Sequence, residues 1–565
     1  MSTVSKVKNI CIVGGVAGGA SAAARLRRLD EFANIMMFEK GNYVSFANCG
    51  LPYYVGNVIE KESSLVVTAP STFKSYFNID VRVKHEVLSI DKENKTITVK
   101  DANTNHTYTQ AYDYLVLAPG SKPIVPRLPG VNAPGVFILR DIPDSNQIKS
   151  WIADRQAKKA VIVGGGFIGL EMAENLKHQG LDVSIIEMAP HVLPILSTDL
   201  ANYLQRQITK EGVHLYTNTG LKEIRTKEDD SLEMVCSDGQ VINGDLALLS
   251  VGISPESQLA KQAGLELGMR NSIVVDSHMR TSDPAIFAAG DAVQTYDFIT
   301  KKPTCLALAG PANRQARVIA DNIAGIDSEF RGVQGTSICG AFGVAAAATG
   351  HSYESLKRQG YEDLANVACI QLHPGQHVGY YPGQKQIHLD VYFNLKSGLL
   401  LGAQAVGEEG VDKRIDVIST YIQKHSTIDE LAQAELCYAP QFGAAKDPVN
   451  MAGFIGENVM HGLLPLSSWE YLKEKHDDIF YLEVRQKAIS EKRPMPEFFN
   501  IPLGDLRDNL DKLPKDKYID ISCNVGLTAY YATRILLQRG YKARLLPGGW
   551  FTYSALDFHN DEKKN

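Results

Sequence analysis

Two of the eight cysteines in the 565-residue chain stand where a thiol could do chemistry. Cys49 is followed by Gly50 and Pro52, a pattern that favours a helix beginning just after the thiol. Cys523 ends a predicted strand and opens a loop that leads into a predicted helix at 527–539. Backbone N–H groups and a helix dipole stabilise a thiolate, and then a persulfide, at such positions. The sequence therefore predicts that both cysteines are reactive.

The other cysteines are scattered and form no CxxC pair, which argues against a metal cluster and against a secreted disulfide framework. No metal site is expected. Cys437 lies beside Tyr438 and is interpreted as a bystander. Five further cysteines are interpreted as buried structural thiols: Cys11, Cys236, Cys305, Cys339 and Cys369.

A glycine turn at 164–169 has the GxGxxG spacing that holds a dinucleotide. Its first glycine permits the tight turn, its second lets a pyrophosphate approach the backbone, and its third lets helix pack on strand. A carboxylate closing the next strand accepts ribose hydroxyls and repels a 2′-phosphate, so NADH is expected to outperform NADPH. The predicted NADH-binding residues are Gly164, Gly166, Phe167, Ile168, Gly169 and Glu187.

An earlier turn at 14–19 repeats this strand–turn–helix–strand–acid pattern, although Val16 stands where the middle glycine belongs. A later Gly-Asp pair on a strand-end turn suits the ribityl chain of a flavin. Two nucleotide domains in one chain imply that electrons pass from a nicotinamide to a flavin. The predicted FAD-binding residues are Gly14, Gly15, Ala17, Gly18, Gly19, Glu39, Lys40, Gly290, Asp291 and Ala292.

One face of the helix that follows the first turn carries Ser21, Arg25 and Arg28 at positions i, i+4 and i+7. Two guanidinium groups on one face could clamp the phosphates of a nucleotide thiol. A solvated basic helix face is the alternative, and spacing alone does not decide between them.

The elements around these residues predict an α/β protein of several domains. The predicted domains are an FAD-binding domain at 1–150 and 246–328, an NAD(P)H-binding domain at 151–245, an α+β dimerisation domain at 329–455, a linker at 456–468 and a small α/β domain at 469–565. The net charge of −6 gives no basis for a nucleic-acid partner. No run approaches the roughly 20 apolar residues of a membrane helix, and we expect a soluble, cytoplasmic protein that does not associate with membranes.

Residues 8–455 resemble the flavoprotein disulfide reductases with two dinucleotide-binding domains. TSDPAIFAAGDA at 281–292 is similar to that family's FAD motif. FANCGLPY at 46–53 is similar to the branch that contains NADH oxidases, NADH peroxidases and coenzyme A-disulfide reductases. Dithiol reductases of this superfamily use CxxxxC, but here Tyr54 stands five residues after Cys49. Cys49 is therefore oxidised by an oxygen species or pairs with a diffusible thiol.

The resemblance implies a homodimer whose active site binds coenzyme A. It implies coenzyme A contacts at Ser21, Arg25, Arg28, Ser45, Asn48, Asn313 and Lys446. Two motifs of this branch, YYPG at 380–383 and YAP at 438–440, imply that Tyr381 and Tyr438 serve the neighbouring subunit, with the choice between Tyr380 and Tyr381 left open. Gln441-Phe442 replaces the usual Pro-Tyr after YAP.

The tail at 469–565 resembles a rhodanese domain through LEVR at 482–485, ISCNVG at 521–526 and LPGGW at 546–550. It departs from that family at Glu483, which replaces an aspartate, and at Thr528, which replaces the arginine of the cysteine loop. The tail is either a sulfur-carrying domain or a degenerate docking module.

These resemblances predict an NADH-driven FAD enzyme that reduces coenzyme A disulfide, persulfides or polysulfide through Cys49, with Cys523 handling sulfane sulfur. One alternative is an NADH oxidase or peroxidase that cycles Cys49 through a sulfenic acid. Another is a redox sensor whose tail only docks partners.

Overall fold

The computed structural model of the protein describes residues 7–474 and 476–556. Residues 1–6 and 557–565, at the ends of the first and last predicted domains, lie outside this description. The chain forms two compact units. The first contains the residues up to Met188 together with Val213–Gln334, and the second contains Ala189–Gly212 together with the residues from Gly335 onward. The stretch predicted to bind NAD(P)H thus gives one segment to the second unit.

The first unit begins with the elements of the first glycine turn and ends with a long helix. Up to residue 155 its elements are β1 Asn9–Val13, α1 Ala17–Leu29, β2 Asn34–Glu39, α2 Leu51–Val55, α3 Pro70–Phe77, β3 Asp80–Val83, β4 His85–Asp91, β5 Thr96–Asp101, β6 His106–Ala111, β7 Tyr114–Leu117, β8 Ser121–Pro123, β9 Val136–Phe137 and α4 Ile142–Arg155. The next elements are β10 Lys159–Val163, α5 Phe167–His178 and β11 Asp182–Ile186, after which α6 Thr198–Lys210 belongs to the second unit.

The rest of the first unit completes both of its large sheets. Its elements are β12 His214–Tyr216, β13 Leu221–Thr226, β14 Leu232–Cys236, β15 Val241–Gly244, β16 Leu246–Leu249, β17 Ile253–Pro255, α7 Gln258–Gln262, β18 Ile273–Val274, β19 Ile286–Ala288, β20 Val293–Tyr296, β21 Pro303–Thr304 and α8 Ala309–Ile323.

Two parallel five-stranded sheets repeat one strand order. The first runs β19-β7-β1-β2-β3 and the second runs β9-β16-β10-β11-β12, so β1 and β10 hold the same central position. The central strands are apolar and almost wholly buried, as expected for parallel strands covered on both faces. Both strand–turn–helix units predicted from the sequence are confirmed, and they make this part of the chain a pair of Rossmann-type domains.

The second unit holds the elements that follow residue 334. They are β22 Ser337–Ala341, β23 Val344–Gly350, α9 Tyr353–Arg358, β24 Val367–Leu372, β25 Ile387–Asn394, β26 Leu400–Gly407, α10 Val411–Gln423, α11 Ile428–Ala432 and α12 Pro448–Met460. The tail continues with β27 Ile479–Glu483, α13 Lys487–Lys492, β28 Phe499–Asn500, β29 Tyr518–Ser522, α14 Leu527–Gln538, β30 Lys542–Leu545 and α15 Trp550–Leu556.

Two sheets organise this unit. Strands β22-β23-β26-β25-β24 form an antiparallel sheet, and every residue of β25 and β26 is buried. The tail forms a parallel sheet, β28-β27-β29-β30, with its own apolar core. The strands and helix predicted around 387–424 and 479–539 are confirmed within one or two residues at most ends. Among the described residues, no helix is both long enough and apolar enough to span a bilayer.

Candidate active site

The two glycine turns have the same internal geometry. Gly14 and Gly164 open the turns with φ values of 93° and 109°, in the left-handed region that favours glycine. The next residue of each turn donates its backbone N–H to the acid that ends the following strand. Gly15 donates to Glu39 Oε2 at 3.0 Å, and the corresponding bond to Glu187 Oε2 is 2.7 Å. The predicted acids therefore lie directly against the turns that they were expected to serve.

Space around the glycines fits a dinucleotide. A Cβ on Gly19 would collide with the carbonyl of Gly14, and a Cβ on Gly169 would collide with the carbonyl of Gly164. These collisions show that the third glycine of each turn is needed for close helix–strand packing. A Cβ on Gly166, in contrast, would meet nothing within 4 Å, which leaves the backbone open to a pyrophosphate.

The remaining predicted nucleotide-binding residues lie on the same turns or beside them. Ala17, Gly18 and Gly19 form the first turn of α1, and Phe167, Ile168 and Gly169 form the first turn of α5. Lys40 directly follows β2. Gly290, Asp291 and Ala292 form a 3₁₀ turn, in which the Ser121 hydroxyl donates to Asp291 Oδ2 at 2.8 Å and burial raises the pKa of the Asp291 carboxyl.

Cys49 is exposed and lies in a 3₁₀ turn, Asn48–Gly50, immediately before α2. Partial burial of its thiol raises the Cys49 pKa, and the carboxylates of Glu171 and Asp291 raise it further, against one backbone hydrogen bond that lowers it. Among the chain's own groups the thiol form of Cys49 is therefore favoured, and the predicted thiolate, which depends on the helix dipole together with a nearby flavin, stays a prediction. The helix has only five residues, and desolvation with two carboxylates outweighs its dipole.

Glu171 is a site residue that the sequence reasoning missed. It lies on α5, and burial raises the pKa of its carboxyl to about 7, with a hydrogen bond to Tyr53 lowering it and Glu174 raising it. The available signal was its position two residues after Gly169, at the end of the helix that faces the nucleotide. Residues from both Rossmann-type domains thus act on the Cys49 thiol.

The residues expected to contact coenzyme A are only partly free. The Ser21 hydroxyl bonds to Asn313 Oδ1 at 2.5 Å, so α1 and α8 bring these two predicted residues together. Arg25 is held by Asp321 at 2.8 Å, whereas Arg28 is exposed.

Two residues near the cysteine complete this group. Asn48 donates its amide to the carbonyl of Arg140 at 3.3 Å. Ser45 adopts a left-handed φ of 47° and donates its N–H to the carbonyl of Gly15 at 2.7 Å. This bond joins the segment that carries Cys49 to the first glycine turn.

The tyrosine motifs lie in the second unit. The hydroxyls of Tyr380 and Tyr438 are 2.7 Å apart, and this hydrogen bond raises the pKa of Tyr438. Tyr381 instead packs its ring edge-on against His377. The geometry therefore pairs Tyr438 with Tyr380, while the choice between Tyr380 and Tyr381 as the acting residue, left open by the sequence, stays a prediction. Lys446 is exposed, two residues before α12.

Cys523 lies between β29 and α14 and is almost wholly buried. The N–H of Gly526, whose φ is 98°, donates to the Cys523 sulfur at 3.1 Å. The Trp550 N–H donates to the Cys523 carbonyl at 2.7 Å and ties the loop to α15. The buried Glu483 carboxylate, at the end of β27, pairs with Arg485 two residues further along the chain.

The other cysteines differ in exposure. Cys437 is exposed, while Cys11, Cys236 and Cys339 are buried, as predicted for structural thiols. Cys305 and Cys369 are only partly buried, so the expectation of full burial is wrong for these two.

Comparison with known proteins identifies the family. The model described as pyridine nucleotide-disulphide oxidoreductase matches residues 8–315, and the model of its dimerisation domain matches residues 337–448. The coenzyme A disulfide reductase of Staphylococcus epidermidis is 35% identical over 449 residues, which are 79% of this chain and 99% of that protein.

Two solved structures extend the likeness over almost the whole chain. The structure of reduced Bacillus anthracis CoADR-RHD is 42% identical, covers 98% of both chains and has a TM-score of 0.95. An NAD-dependent persulfide reductase from A. fulgidus is 36% identical, with a TM-score of 0.89 over 96% of this chain and 100% of that one. On these findings and on its paired nucleotide-binding turns, the chain belongs to the pyridine nucleotide-disulphide oxidoreductase family.

Proposed function

We propose that the protein uses NADH and FAD to reduce coenzyme A disulfide and the persulfides of coenzyme A and small thiols, including polysulfide, through Cys49. The family implies FAD and a pyridine nucleotide, and relatives named coenzyme A disulfide reductase and persulfide reductase support the substrate class. The C-terminal tail acts as a rhodanese-like domain that handles sulfane sulfur at Cys523.

The convergence of two acidic residues on the Cys49 thiol carries this proposal. Cys49 comes from the FAD-binding part of the chain, Asp291 from its Gly-Asp turn, and Glu171 from the NADH-binding helix α5. An exposed thiol at this convergence can meet both a bound flavin and a diffusible substrate. Tyr54 stands five residues after it on α2, so the thiol has no partner cysteine there.

The chemistry is a thiol–disulfide exchange at Cys49. The Cys49 thiolate attacks one of the two substrate sulfurs. That half of the substrate stays on Cys49 as a mixed disulfide, and the other half leaves as a thiol or as sulfide. FAD, held by the turns at 14–19 and at Gly290–Ala292, would supply the electron pair of NADH for this reduction. Cys49 then leaves the mixed disulfide as a thiolate, together with the second thiol. The net change for a persulfide is RSSH + NADH + H⁺ giving RSH + H₂S + NAD⁺.

The chain's own groups set the proton balance of this exchange. The carboxylates of Glu171 and Asp291 oppose the Cys49 thiolate, so the proton is retained on sulfur more readily than in a free cysteine. Because the Glu171 pKa is about 7, its carboxyl can hold or release a proton near neutral pH, within electrostatic reach of the reacting sulfur.

Coenzyme A recognition is assigned to the group around α1. Arg28 is the exposed cation of this group. The Arg25 guanidinium is already paired with Asp321, so a phosphate bound there would share it with that carboxylate. The paired Ser21 and Asn313 side chains supply neutral hydrogen-bonding groups beside them.

We assign Tyr438 and Lys446 to a homodimer in which the dimerisation domain serves the neighbouring active site. The match of residues 337–448 to that domain supports the assembly. Tyr380 joins Tyr438 in this role because their hydroxyls are hydrogen-bonded. Sedimentation of a fully active monomer at assay concentration would contradict this assignment.

The experiment that tests the reductase compares Cys49→Ser with Cys437→Ser, which removes the other exposed cysteine. Both variants should bind FAD and accept hydride in stopped-flow reduction by NADH. Only Cys49→Ser should lose turnover with coenzyme A persulfide and coenzyme A disulfide. Substantial turnover by Cys49→Ser would transfer the role to another group, and mass spectrometry of the purified protein should find coenzyme A attached to Cys49.

A further inference from the structure

The Cys523 loop contains donors for a thiolate but no cation of its own. The loop 523–528 has no lysine or arginine, and Thr528 stands where the resemblance to rhodanese expects an arginine. The first turn of α14 carries no acid, and its N-cap, Gly526, donates its N–H to the sulfur. The loop therefore has a backbone donor for a sulfur anion, but it has no cation to bind a second anionic group of the substrate.

A separate segment brings an arginine to this loop. The Met495 sulfur lies 3.9 Å from the Ser522 hydroxyl, one residue before the cysteine. The guanidinium of Arg493 lies over the Trp550 ring, 4.7 Å from its centroid. Trp550 is the residue whose N–H holds the Cys523 carbonyl at 2.7 Å. Arg493 thus packs on the ring of the tryptophan whose backbone anchors the cysteine loop.

The backbone and charge of Arg493 are both suited to a binding role. Its carbonyl accepts a hydrogen bond from the buried Arg485 guanidinium at 2.7 Å, which fixes the segment against the sheet. Its side chain is exposed, and across residues 7–474 and 476–556 no carboxylate forms an ion pair with it. Arg485, in contrast, is buried and neutralised by Glu483. Arg493 is therefore a cation at this loop that remains available to a substrate.

A second observation shows unfilled hydrogen-bonding capacity at the same edge of the sheet. Glu483 and Ser522 are paired in register, so the residues that follow each strand lie side by side. Within the described parts of the chain, Nη1 of the nine-tenths buried Arg485 and Oδ1 of Asn524 have no hydrogen-bond partner. Unpaired buried polar atoms are costly unless a further group meets them.

We propose that Arg493 binds the carboxylate of a small-thiol persulfide and thereby sets the donor specificity of Cys523. This inference rests on the proposed sulfur-handling role of the tail. In the step it serves, the Cys523 thiolate attacks the outer sulfur of RSS⁻ and takes up that sulfur as Cys523–S–S⁻. RS⁻ leaves and is protonated by solvent to RSH, so atoms and charge balance.

The position of Arg493 selects among anionic donors. A cation that packs on Trp550, outside the cysteine loop itself, is suited to a charge several bonds from the transferred sulfur, as in the carboxylates of glutathione persulfide. Thiosulfate carries its charge on the sulfonate bonded directly to that sulfur, where Thr528 offers no cation. Arg493 therefore favours carboxylate-bearing persulfides over thiosulfate.

The test measures sulfur transfer from three donors by the full-length enzyme: glutathione persulfide, the carboxylate-free persulfide of 2-mercaptoethanol, and thiosulfate. The variants are Arg493→Gln, Arg493→Lys and the neighbouring exposed control Lys492→Gln. Loss of a charge-assisted contact should raise the KM for glutathione persulfide about tenfold or more in Arg493→Gln. Arg493→Lys should restore part of this loss, and kcat with the carboxylate-free persulfide should not change.

The outcomes separate this inference from the function on which it rests. No sulfur transfer by the wild type from any donor would overturn both the role of the tail and the role of Arg493. Wild-type transfer that is unchanged in Arg493→Gln would overturn the arginine's role alone. An equal loss with the carboxylate-free persulfide, or the same loss in Lys492→Gln, would also overturn it, because neither effect depends on the Arg493 charge meeting a carboxylate.

Discussion

Replacing Glu171 with glutamine should change how the reactivity of Cys49 depends on pH. The Glu171 carboxylate is one of two charges that raise the Cys49 pKa, and its own pKa is about 7 because it is buried. At that pKa the carboxyl is about one-tenth ionised at pH 6 and about nine-tenths ionised at pH 8. The electrostatic repulsion between the Glu171 carboxylate and the Cys49 thiolate therefore grows between pH 6 and pH 8.

The sign of the expected effect follows from this ionisation. Glu171→Gln removes the negative charge, so the Cys49 pKa should fall and its thiolate should become more abundant. The increase in the Cys49 alkylation rate over wild type should follow the ionised fraction of Glu171. It should reach about nine-tenths of its maximum at pH 8 and only about one-tenth of it at pH 6. The wild-type pH profile should also show an inflection near pH 7 that the variant lacks.

The assay is the rate of Cys49 alkylation by iodoacetamide between pH 6 and pH 9, followed by peptide mass spectrometry. Cys437, the other exposed cysteine, serves as an internal reference in every sample. If the Cys49 profile is the same in wild type and Glu171→Gln while Cys437 is also unchanged, the carboxylate does not control the thiol and the reasoning is refuted.

Three further outcomes are expected. Glu187→Ala should reduce the preference for NADH over NADPH by about 10- to 100-fold in kcat/KM, because the hydrogen bond to the NADH ribose is lost and the repulsion of the NADPH 2′-phosphate is removed. An unchanged ratio of the two kcat/KM values would contradict the assignment of Glu187 to the ribose. Tyr380→Phe should lower the Tyr438 pKa and reduce turnover more than Tyr381→Phe does, measured by ultraviolet titration and steady-state kinetics. Burial lowers the pKa of His388 to about 3 in the folded protein. The free energy of unfolding should therefore be unaffected by His388 above about pH 6.5 and should fall as the pH drops below that value, because the unfolded chain binds a proton at this imidazole and the folded chain does not. His388→Gln should flatten that decline in thermal unfolding at pH 7.5 and 5.5.

The sequence predicted the nucleotide-binding framework well because local rules control it. A glycine turn, a helix start and a strand-end acid lie close together in the chain, and the bonds from the turns to Glu39 and Glu187 follow from that proximity. The buried strands at 387–394 and 518–522 were recognised because their apolar runs are short and clearly bounded.

Contacts between distant segments were beyond such reasoning. The charge of Glu171 acts on Cys49 across more than 120 positions, and no local pattern connects the two residues. The raised Cys49 pKa could not be predicted for the same reason, since helix dipoles are visible in a sequence and desolvation is not. The choice of Tyr380 over Tyr381 as the partner of Tyr438 depends on how one loop folds against another.

The attachment of the tail has a consequence for truncation. The His373 ring meets the Thr552 hydroxyl at 3.0 Å, and the Asn202 amide donates to the Ala555 carbonyl at 2.7 Å, so α15 packs on α6 and on the buried His373 of the dimerisation domain. The Staphylococcus epidermidis relative matches 79% of this chain with 99% of its own length, and so has no room for a tail of this size. A reductase cut before the tail would expose the His373 imidazole and the Asn202 amide that α15 covers in this chain. Shortening this chain to the length of its relative therefore creates a new surface that must be redesigned before the fragment stays soluble.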